Sequence, residues 1–148
     1  MPRSSRLFLF PDVNVWVALT WEGHVHHPIA RTWFESLDLE DRIGFCRFTQ
    51  ISLLRLLTTQ SVMGDDVMTQ VQAWAAYDRW LQDSRVLFLQ EPASVESTFR
   101  VLSKQPGAAS KNWSDAYLAA FAQVEGMKLV TFDRAFDRRL QHVLILRP

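Results

Sequence analysis

The stretch Leu7-Phe8-Leu9-Phe10-Pro11-Asp12 decides the fold, because an uninterrupted apolar run leads directly into an acidic residue. A run without alternating polar residues is typical of a strand buried on both faces, as in a parallel sheet covered by helices. A carboxylate beside such a strand lowers the stability of the fold unless another group compensates its charge. The stretch therefore predicts a central strand and a candidate functional residue at its end.

Outward from this stretch, strand-like and helix-like segments alternate. Short apolar runs predict strands at 7–10, 42–46, 85–89, 128–132 and 142–146. Apolar residues at helical spacing predict helices at 13–20, 28–38, 67–81, 95–102 and 114–125, with a further helix capped by Thr49. Such alternation predicts an α/β fold in which a parallel sheet is sandwiched between helices.

Composition sets the broad class. The 148 residues are 48% apolar and 22% charged, which fits one globular domain spanning 1–148. A net charge of zero argues against a general polyanion binder, but it permits a nucleic-acid enzyme with a local basic rim. The single cysteine, Cys46, fits a reducing compartment, and the first apolar run is too short for a signal peptide. No stretch approaches the ~20 apolar residues that span a bilayer, so we expect a cytoplasmic protein.

Three aspartates stand at equivalent topological positions. Asp12 and Asp133 each follow a predicted strand, and Asp115 lies in the first turn of a predicted helix capped by Asn112 or Ser114. In a doubly wound sheet, ligands bind beyond the carboxyl ends of the strands, so all three carboxylates are expected in one cleft. Taken singly, each aspartate also suits a cap or a turn. Their shared placement favours a functional site.

Converging carboxylates indicate a hard divalent cation such as Mg²⁺ or Mn²⁺. Without the cation they repel and raise one another's pKa, whereas with it they stay ionised. A cation held in this way binds a phosphate oxygen and activates water. Three carboxylates with a divalent cation are therefore best suited to phosphodiester hydrolysis.

Three segments resemble a known family: Asp12-Val13-Asn14-Val15, Asp115-Ala116-Tyr117-Leu118-Ala119-Ala120 and Thr131-Phe132-Asp133-Arg134-Ala135-Phe136. They are similar to the signature of PIN-domain ribonucleases, and among these to the VapC toxins of bacterial toxin–antitoxin pairs. The resemblance covers essentially the whole chain in order and spacing. It implies a PIN-like three-layer α/β/α sandwich with a mostly parallel sheet.

The resemblance also implies an activity and its residues. It implies a Mg²⁺- or Mn²⁺-dependent endoribonuclease that acts on transfer RNA or a ribosomal RNA loop, is inhibited by a cognate antitoxin and forms a homodimer. Asp12, Asp115 and Asp133 would be catalytic and carry the metal. Asn14 and Thr131 would support Asp12 and Asp133 by hydrogen bonds.

One position departs from the family pattern. The family usually has a glutamate near the start of the third helix, where this chain has Ser52, with Gln50 close by. A serine can hold a metal-bound water but cannot neutralise charge. Asp137, one helical turn after Asp133, is an alternative source of a carboxylate.

Basic residues near these aspartates are candidates for RNA binding. Arg55 follows Ser52, and a local rim surrounds the two later aspartates: Lys111, Arg134, Arg138 and Arg139. Such a rim would attract RNA despite the neutral total charge. A surface salt bridge is an equally good explanation for Arg55. A solvated charged face with no binding role is an equally good explanation for the rim.

Histidines and tryptophans support less specific predictions. His24, His26 and His27 invite a zinc site, but adjacent helical residues point about 100° apart and no cysteine is near, which favours a structural role. Trp16, Trp33 and Trp74 fit core stripes, whereas Trp21 and Trp80 would suit a dimer or antitoxin groove.

Two alternatives to an active nuclease remain at this stage. The missing glutamate motivates a degenerate PIN domain that binds RNA or antitoxin without cleavage. A small parallel α/β domain phosphorylated on aspartate is the other alternative. It would have paired acids after its first strand, where this chain has Pro11-Asp12 followed by Val13-Asn14.

Overall fold

The computed structural model describes residues 6–138 and 142–147, without the side chains of residues 137 and 138. Its described residues include five strands: β1 (Phe8–Pro11), β2 (Arg42–Phe45), β3 (Val86–Phe88), β4 (Lys128–Thr131) and β5 (Val143–Ile145). They form one sheet in the order β3-β2-β1-β4-β5, and every neighbouring pair is parallel. The prediction of a parallel α/β sheet is confirmed.

Helices connect the strands and cover both faces of the sheet. The described part of the chain contains α1 (Val13–Thr20), α2 (His27–Glu35), α3 (Arg47–Leu57), α4 (Gln60–Met63), α5 (Gln70–Gln82), α6 (Val95–Ser103) and α7 (Asn112–Glu125). Short 3₁₀ turns lie at Gly64–Asp66 and Arg134–Arg138. Among the described residues, no helix is both long and apolar enough to cross a membrane.

The sheet separates two hydrophobic cores, because successive side chains of a strand point to opposite faces. Leu9 packs into the core formed with α1, α2, α3 and α5, whereas Phe10 packs into the core formed with α6 and α7. Trp16 stacks on Phe45 in the first core with ring centroids 3.9 Å apart. Phe10 stacks on Phe121 in the second at 4.9 Å. β1 is therefore buried on both faces, as its apolar run indicates.

The strand order creates a crevice at the carboxyl edge. From β1 the chain proceeds outward on one side to β2 and β3, and then returns to place β4 on the other side of β1. Connections that leave neighbouring strands in opposite directions open a space beyond the carboxyl ends of those strands. The ends of β1 and β4, where Asp12 and Asp133 follow, flank this space.

Three details of the predicted helices were wrong. Thr49 is the third residue of its helix, and its hydroxyl accepts a hydrogen bond from the Cys46 N–H, the residue that precedes α3. The last long helix begins at Asn112, after Lys111, with no side-chain cap. Trp74 is 48% exposed, because it lies on the side of α5 that faces away from the sheet core.

Gly126 ends α7 in the left-handed conformation, with φ of +67°, and so lets the chain turn back into β4. A Cβ atom in this conformation is close to the following carbonyl oxygen. We predict that Gly126→Ala lowers the free energy of unfolding by about 1 kcal/mol. A thermal melt would register this as a midpoint lower by roughly 2–4 °C.

Gly107→Ala is the matched control, because this glycine has no positive φ and a Cβ atom there meets no atom within 4 Å. Equal stability of both variants would contradict the assignment of Gly126 as a conformational requirement.

Candidate active site

Asp12 is fixed at the junction between β1 and α1 by three hydrogen bonds. Its backbone N–H donates to the Val130 carbonyl at 2.8 Å, which continues the pairing of β1 with β4. Its Oδ1 accepts from the Val13 N–H at 2.6 Å, so the carboxylate caps α1. Its Oδ2 accepts from the Thr131 hydroxyl at 3.0 Å. The carboxylate is thus oriented before any ligand binds.

Thr131 connects the two strand ends that carry the aspartates. Its side chain is fully buried, and its hydroxyl donates to Asp12 while accepting from the Asp133 N–H at 3.0 Å. Asp133 itself is exposed, and its Oδ1 accepts from the Ala135 N–H at 2.9 Å. One hydroxyl therefore sets both the rotamer of Asp12 and the backbone position of Asp133.

Asp115 lies in the first turn of α7, where the positive end of the helix dipole favours its charge. Burial raises the pKa of Asp12 above its usual range, and the charges of Asp115 and Asp133 raise it further. The hydrogen bonds from Thr131 and Val13 oppose this rise but do not cancel it. The three carboxylates therefore lie within electrostatic range of one another.

The chemistry of this site fits a hard divalent cation. All three candidate ligands are carboxylates, and each Asp12 oxygen that accepts one hydrogen bond retains a second lone pair. In the conformation described for residues 6–138 and 142–147, no three His, Cys, Asp or Glu side chains are close enough together to hold a metal ion.

The residues predicted to support the aspartates lie in different environments. Asn14 is exposed on α1, and its side chain makes no hydrogen bond within the described part of the chain. Ser52 is 9% exposed in the middle of α3. Gln50 is buried, and its side-chain oxygen accepts from the Arg47 guanidinium at 2.6 Å. It also bonds to Tyr77, so Gln50 is engaged in packing α3 against α5.

The predicted basic residues are solvent-exposed. Arg55 lies in the last turn of α3 and lines a groove between α3 and α5 together with Trp74. Lys111 immediately precedes α7, and Arg134 immediately follows Asp133. None of these three cations makes an ion pair in the described part of the chain. The side chains of Asp137 and Arg138, and residue Arg139, lie outside what is described.

The histidine segment packs beside the site and makes structural contacts. The rings of His26 and Phe132 have centroids 4.6 Å apart, and the His26 N–H donates to Nδ1 of His24 at 3.0 Å. His27 Nδ1 is 2.6 Å from the Ala18 carbonyl, which ties the segment to α1. These contacts agree with the structural role that the sequence favours over a zinc site.

The chain matches the family model of the PIN domain over residues 9–139. It is 45% identical over 134 residues to Ribonuclease VapC41 of Mycobacterium tuberculosis, an alignment that covers 88% of this chain and 92% of the relative. Ribonuclease VapC38 of the same species is 27% identical over 132 residues, with 82% of each chain covered.

Solved structures share the fold at lower identity. The crystal structure of M. tuberculosis VapC20, a Sarcin-Ricin loop cleaving toxin, superposes with a TM-score of 0.67 at 19% identity, covering 94% of this chain and 99% of the other. VapBC2 from Rickettsia felis, bound to a DNA fragment from its promoter, gives a TM-score of 0.64 at 19% identity, covering 94% and 97%. These likenesses extend over nearly the whole α/β sandwich.

We predict that Asp12→Asn stabilises the metal-free protein near pH 7, because it removes a buried charge. The pKa of Asp12 is higher in the folded than in the unfolded chain, so its ionisation costs stability as pH rises through the folded pKa. The stability difference between variant and wild type should therefore vanish below about pH 4. Thermal unfolding with a chelator from pH 3 to 7 measures it.

Added Mn²⁺ provides the control for this prediction, since it should stabilise the wild type and leave the variant unchanged. A stability difference that is the same at pH 3 and pH 7 would exclude the ionisation of Asp12 as its cause.

Thr131→Val removes the hydroxyl that joins Asp12 to Asp133 and leaves the Asp133 N–H without its partner. We predict a loss of about 1–3 kcal/mol in unfolding free energy. Calorimetric titration should also show Mn²⁺ affinity lower by roughly 10–100-fold. Thr131→Ser keeps the hydroxyl and should retain most of the affinity; equal affinities for Val and Ser would refute the bridging role.

Proposed function

The chain belongs to the PIN-domain family and, within it, to the VapC ribonucleases, and we propose that it is the endoribonuclease toxin of a toxin–antitoxin pair. We further propose that it depends on Mg²⁺ or Mn²⁺ and hydrolyses phosphodiester bonds in structured RNA, either transfer RNA or ribosomal RNA. The observation that carries the proposal is the oriented, partly buried carboxylate of Asp12 at the crevice between β1 and β4, within electrostatic range of Asp115 and Asp133.

In this proposal the cation is held by Asp12, Asp115 and Asp133. When bound, it supplies Lewis-acid stabilisation of phosphoryl charge and lowers the pKa of a coordinated water. It also offsets the mutual repulsion of the carboxylates and so keeps Asp12 ionised at neutral pH, against the pKa rise caused by burial. Thr131 keeps the Asp12 carboxylate aimed into the crevice, and the N-terminus of α7 stabilises the charge of Asp115.

No protein nucleophile is required for this reaction. Water is the attacking group, and the protein positions it and the scissile phosphate, which is the main contribution to catalysis of phosphoryl transfer. Ser52 stands where the family usually has an acid, and it is proposed to hold water at this place. Lys111 and Arg134 flank the aspartates in sequence and are proposed to contact RNA phosphates, as is Arg55 on α3.

A cognate antitoxin and a second copy of the chain are the proposed protein partners. Support for the antitoxin comes from a similar fold in the toxin–antitoxin complex from Klebsiella pneumoniae, which has a TM-score of 0.57 at 13% identity and covers 92% of this chain and 95% of the other. The groove between α3 and α5, which Ile51 and Trp74 line with their partly exposed side chains, offers apolar surface for either partner.

The test is cleavage of total cellular RNA by antitoxin-free protein, with Mg²⁺, with Mn²⁺ and with a chelator. We expect discrete fragments with either ion and none with the chelator. Asp12→Asn keeps the size of the side chain but removes one ligand charge, so it should lower the cleavage rate by at least 100-fold, on the order of a lost electrostatic contact in an active site.

Glu35→Gln serves as a matched control for charge, since it also replaces a carboxylate by its amide, in an exposed ion pair with Arg31 on α2. It should leave cleavage within a few-fold of the wild type. Cleavage that persists in Asp12→Asn would refute the assigned site. A folded wild type that binds RNA but never cuts it would favour the degenerate binder.

A further inference from the structure

A cavity of about 580 Å³ opens between the end of α6 and the start of α7. Its walls come from both helices and from the loop between them: Arg100, Ser103, Lys104, Gln105, Gly107, Ala108, Ala109, Ser110, Asn112 and Trp113. Pockets that bind small ligands are typically about 300–1,000 Å³ in volume, so this one has room for a nucleotide. The cavity lining includes none of the residues that the sequence predicts to bind RNA.

Trp113 gives this cavity an exposed aromatic wall. Its side chain is 61% exposed although it stands in the first turn of a helix that packs against the sheet. Phe99 contacts the indole edge-on, with ring centroids 6.2 Å apart, and supports it from α6. A large aromatic ring held on one side and open on the other is the arrangement on which unpaired bases of RNA stack.

Two cations on α6 and the loop after it make the cavity attractive to phosphate. Lys104 follows the last residue of α6 and makes no ion pair within the described residues. Arg100 pairs with Glu96 one turn away, but both side chains are about 70% exposed, so the guanidinium keeps donors available to a ligand. The N-terminus of α7, which no side chain caps in the described part of the chain, adds the positive end of its dipole.

Asn112 supplies an independent sign of a missing ligand. It lines the cavity and is 7% exposed, yet its Oδ1 atom is buried without a hydrogen-bond partner within the described part of the chain. A buried polar atom left unpaired costs about 1–3 kcal/mol in folding free energy, and a ligand that pairs with it recovers that cost. Because Oδ1 has almost no accessible surface, a ribose hydroxyl or a base amino group would pair with it only after a small shift of the cavity wall.

The cavity and Asp115 lie at the same end of α7, because Asn112 and Trp113 line the cavity and Asp115 follows in the first turn of that helix. Asn112 and Asp115 are three residues apart in this helix and therefore lie on the same face. We propose that the cavity binds one unpaired nucleotide of the RNA next to the scissile bond, with its base on Trp113 and its phosphate on Arg100 and Lys104. This inference rests on the proposed ribonuclease function and identifies a subsite for that substrate.

The experiment measures binding of a fluorescein-labelled pool of random single-stranded RNA decamers by fluorescence anisotropy, with a chelator present so that no cleavage occurs. We expect Trp113→Ala to raise the Kd about tenfold, since one stacked base is lost. Trp113→Tyr keeps an aromatic face and should stay within about threefold of the wild type. Lys104→Ala should lower the slope of log Kd against log salt concentration by about 0.7, the value for one phosphate contact on a single strand.

Matched controls are present in the same chain. Arg31 pairs with Glu35 on α2 at the same spacing as Arg100 with Glu96 and with similar exposure, and Leu39 is an apolar side chain after α2 that is 79% exposed. Arg31→Ala and Leu39→Ala should bind RNA like the wild type, whereas Arg100→Ala should weaken binding several-fold. Circular dichroism melts check the folding of each variant, which we expect to be retained because all the substituted side chains are exposed.

Cleavage of total RNA with Mn²⁺ is measured in parallel and separates the two proposals. If the wild type cleaves while Trp113→Ala and Arg100→Ala bind like their controls, the nuclease stands and the nucleotide subsite is refuted. A wild type that neither binds nor cuts RNA overturns both proposals.

Discussion

The rest of this structure depends on how the Asp12 carboxylate is tolerated at the end of a strand buried on both faces. Burial raises its pKa, and two neighbouring carboxylates raise it further. Two hydrogen bonds, from the Val13 N–H and the Thr131 hydroxyl, oppose this effect and hold the side chain in one orientation. The residual cost of ionisation is what a divalent cation would offset, so folding and metal binding are coupled through this one group.

The parallel topology makes this arrangement possible. Asp12 and Thr131 are 119 residues apart in sequence, yet β1 and β4 are neighbours and end at the same edge. The two strands lie at the point where the direction of strand progression reverses, which is where a crevice opens beyond the carboxyl ends of parallel strands. α1 and α7 begin at this edge, and each contributes a carboxylate at its N-terminal end. The sheet thus supplies rigidity and the helix ends supply charge stabilisation.

The sequence predicts the parts of the fold that follow from local patterns. Continuous apolar runs such as Leu7–Phe10 indicate buried parallel strands, and the aspartates after these strands indicate the crevice. The bridging hydroxyl of Thr131 was anticipated only through the family resemblance, because its contacts join strands distant in sequence. The exposure of Trp74 was missed, since helical spacing does not reveal which stripe a neighbouring element covers.

The cavity between α6 and α7 was not predicted either, for a similar reason. Pro106-Gly107 marks the intervening loop as irregular, but only the packing of two helices shows that the loop encloses space. No sequence motif includes Arg100, Lys104 or Trp113. They become candidates for binding only because they line the same cavity. The features that mark this cavity are the unpaired Oδ1 of Asn112 and the exposed indole of Trp113, and both depend on tertiary packing.

The charge distribution suggests an order of events in RNA binding. The molecule has no net charge, so long-range attraction to RNA must come from local basic surface. Without a cation, the three carboxylates repel a phosphate at the crevice, while Lys104 and Arg100 still attract one at the adjacent cavity. In the proposed function, a divalent cation held by Asp12, Asp115 and Asp133 would reverse the sign of the local charge at the crevice and so favour the approach of a second phosphate. A chain of two neighbouring phosphates would then bind more tightly than either alone, because the first contact raises the local concentration of the second. Under these two proposals, the separation of the basic cavity from the acidic crevice would make productive binding depend on the cation, while the initial capture of RNA would not.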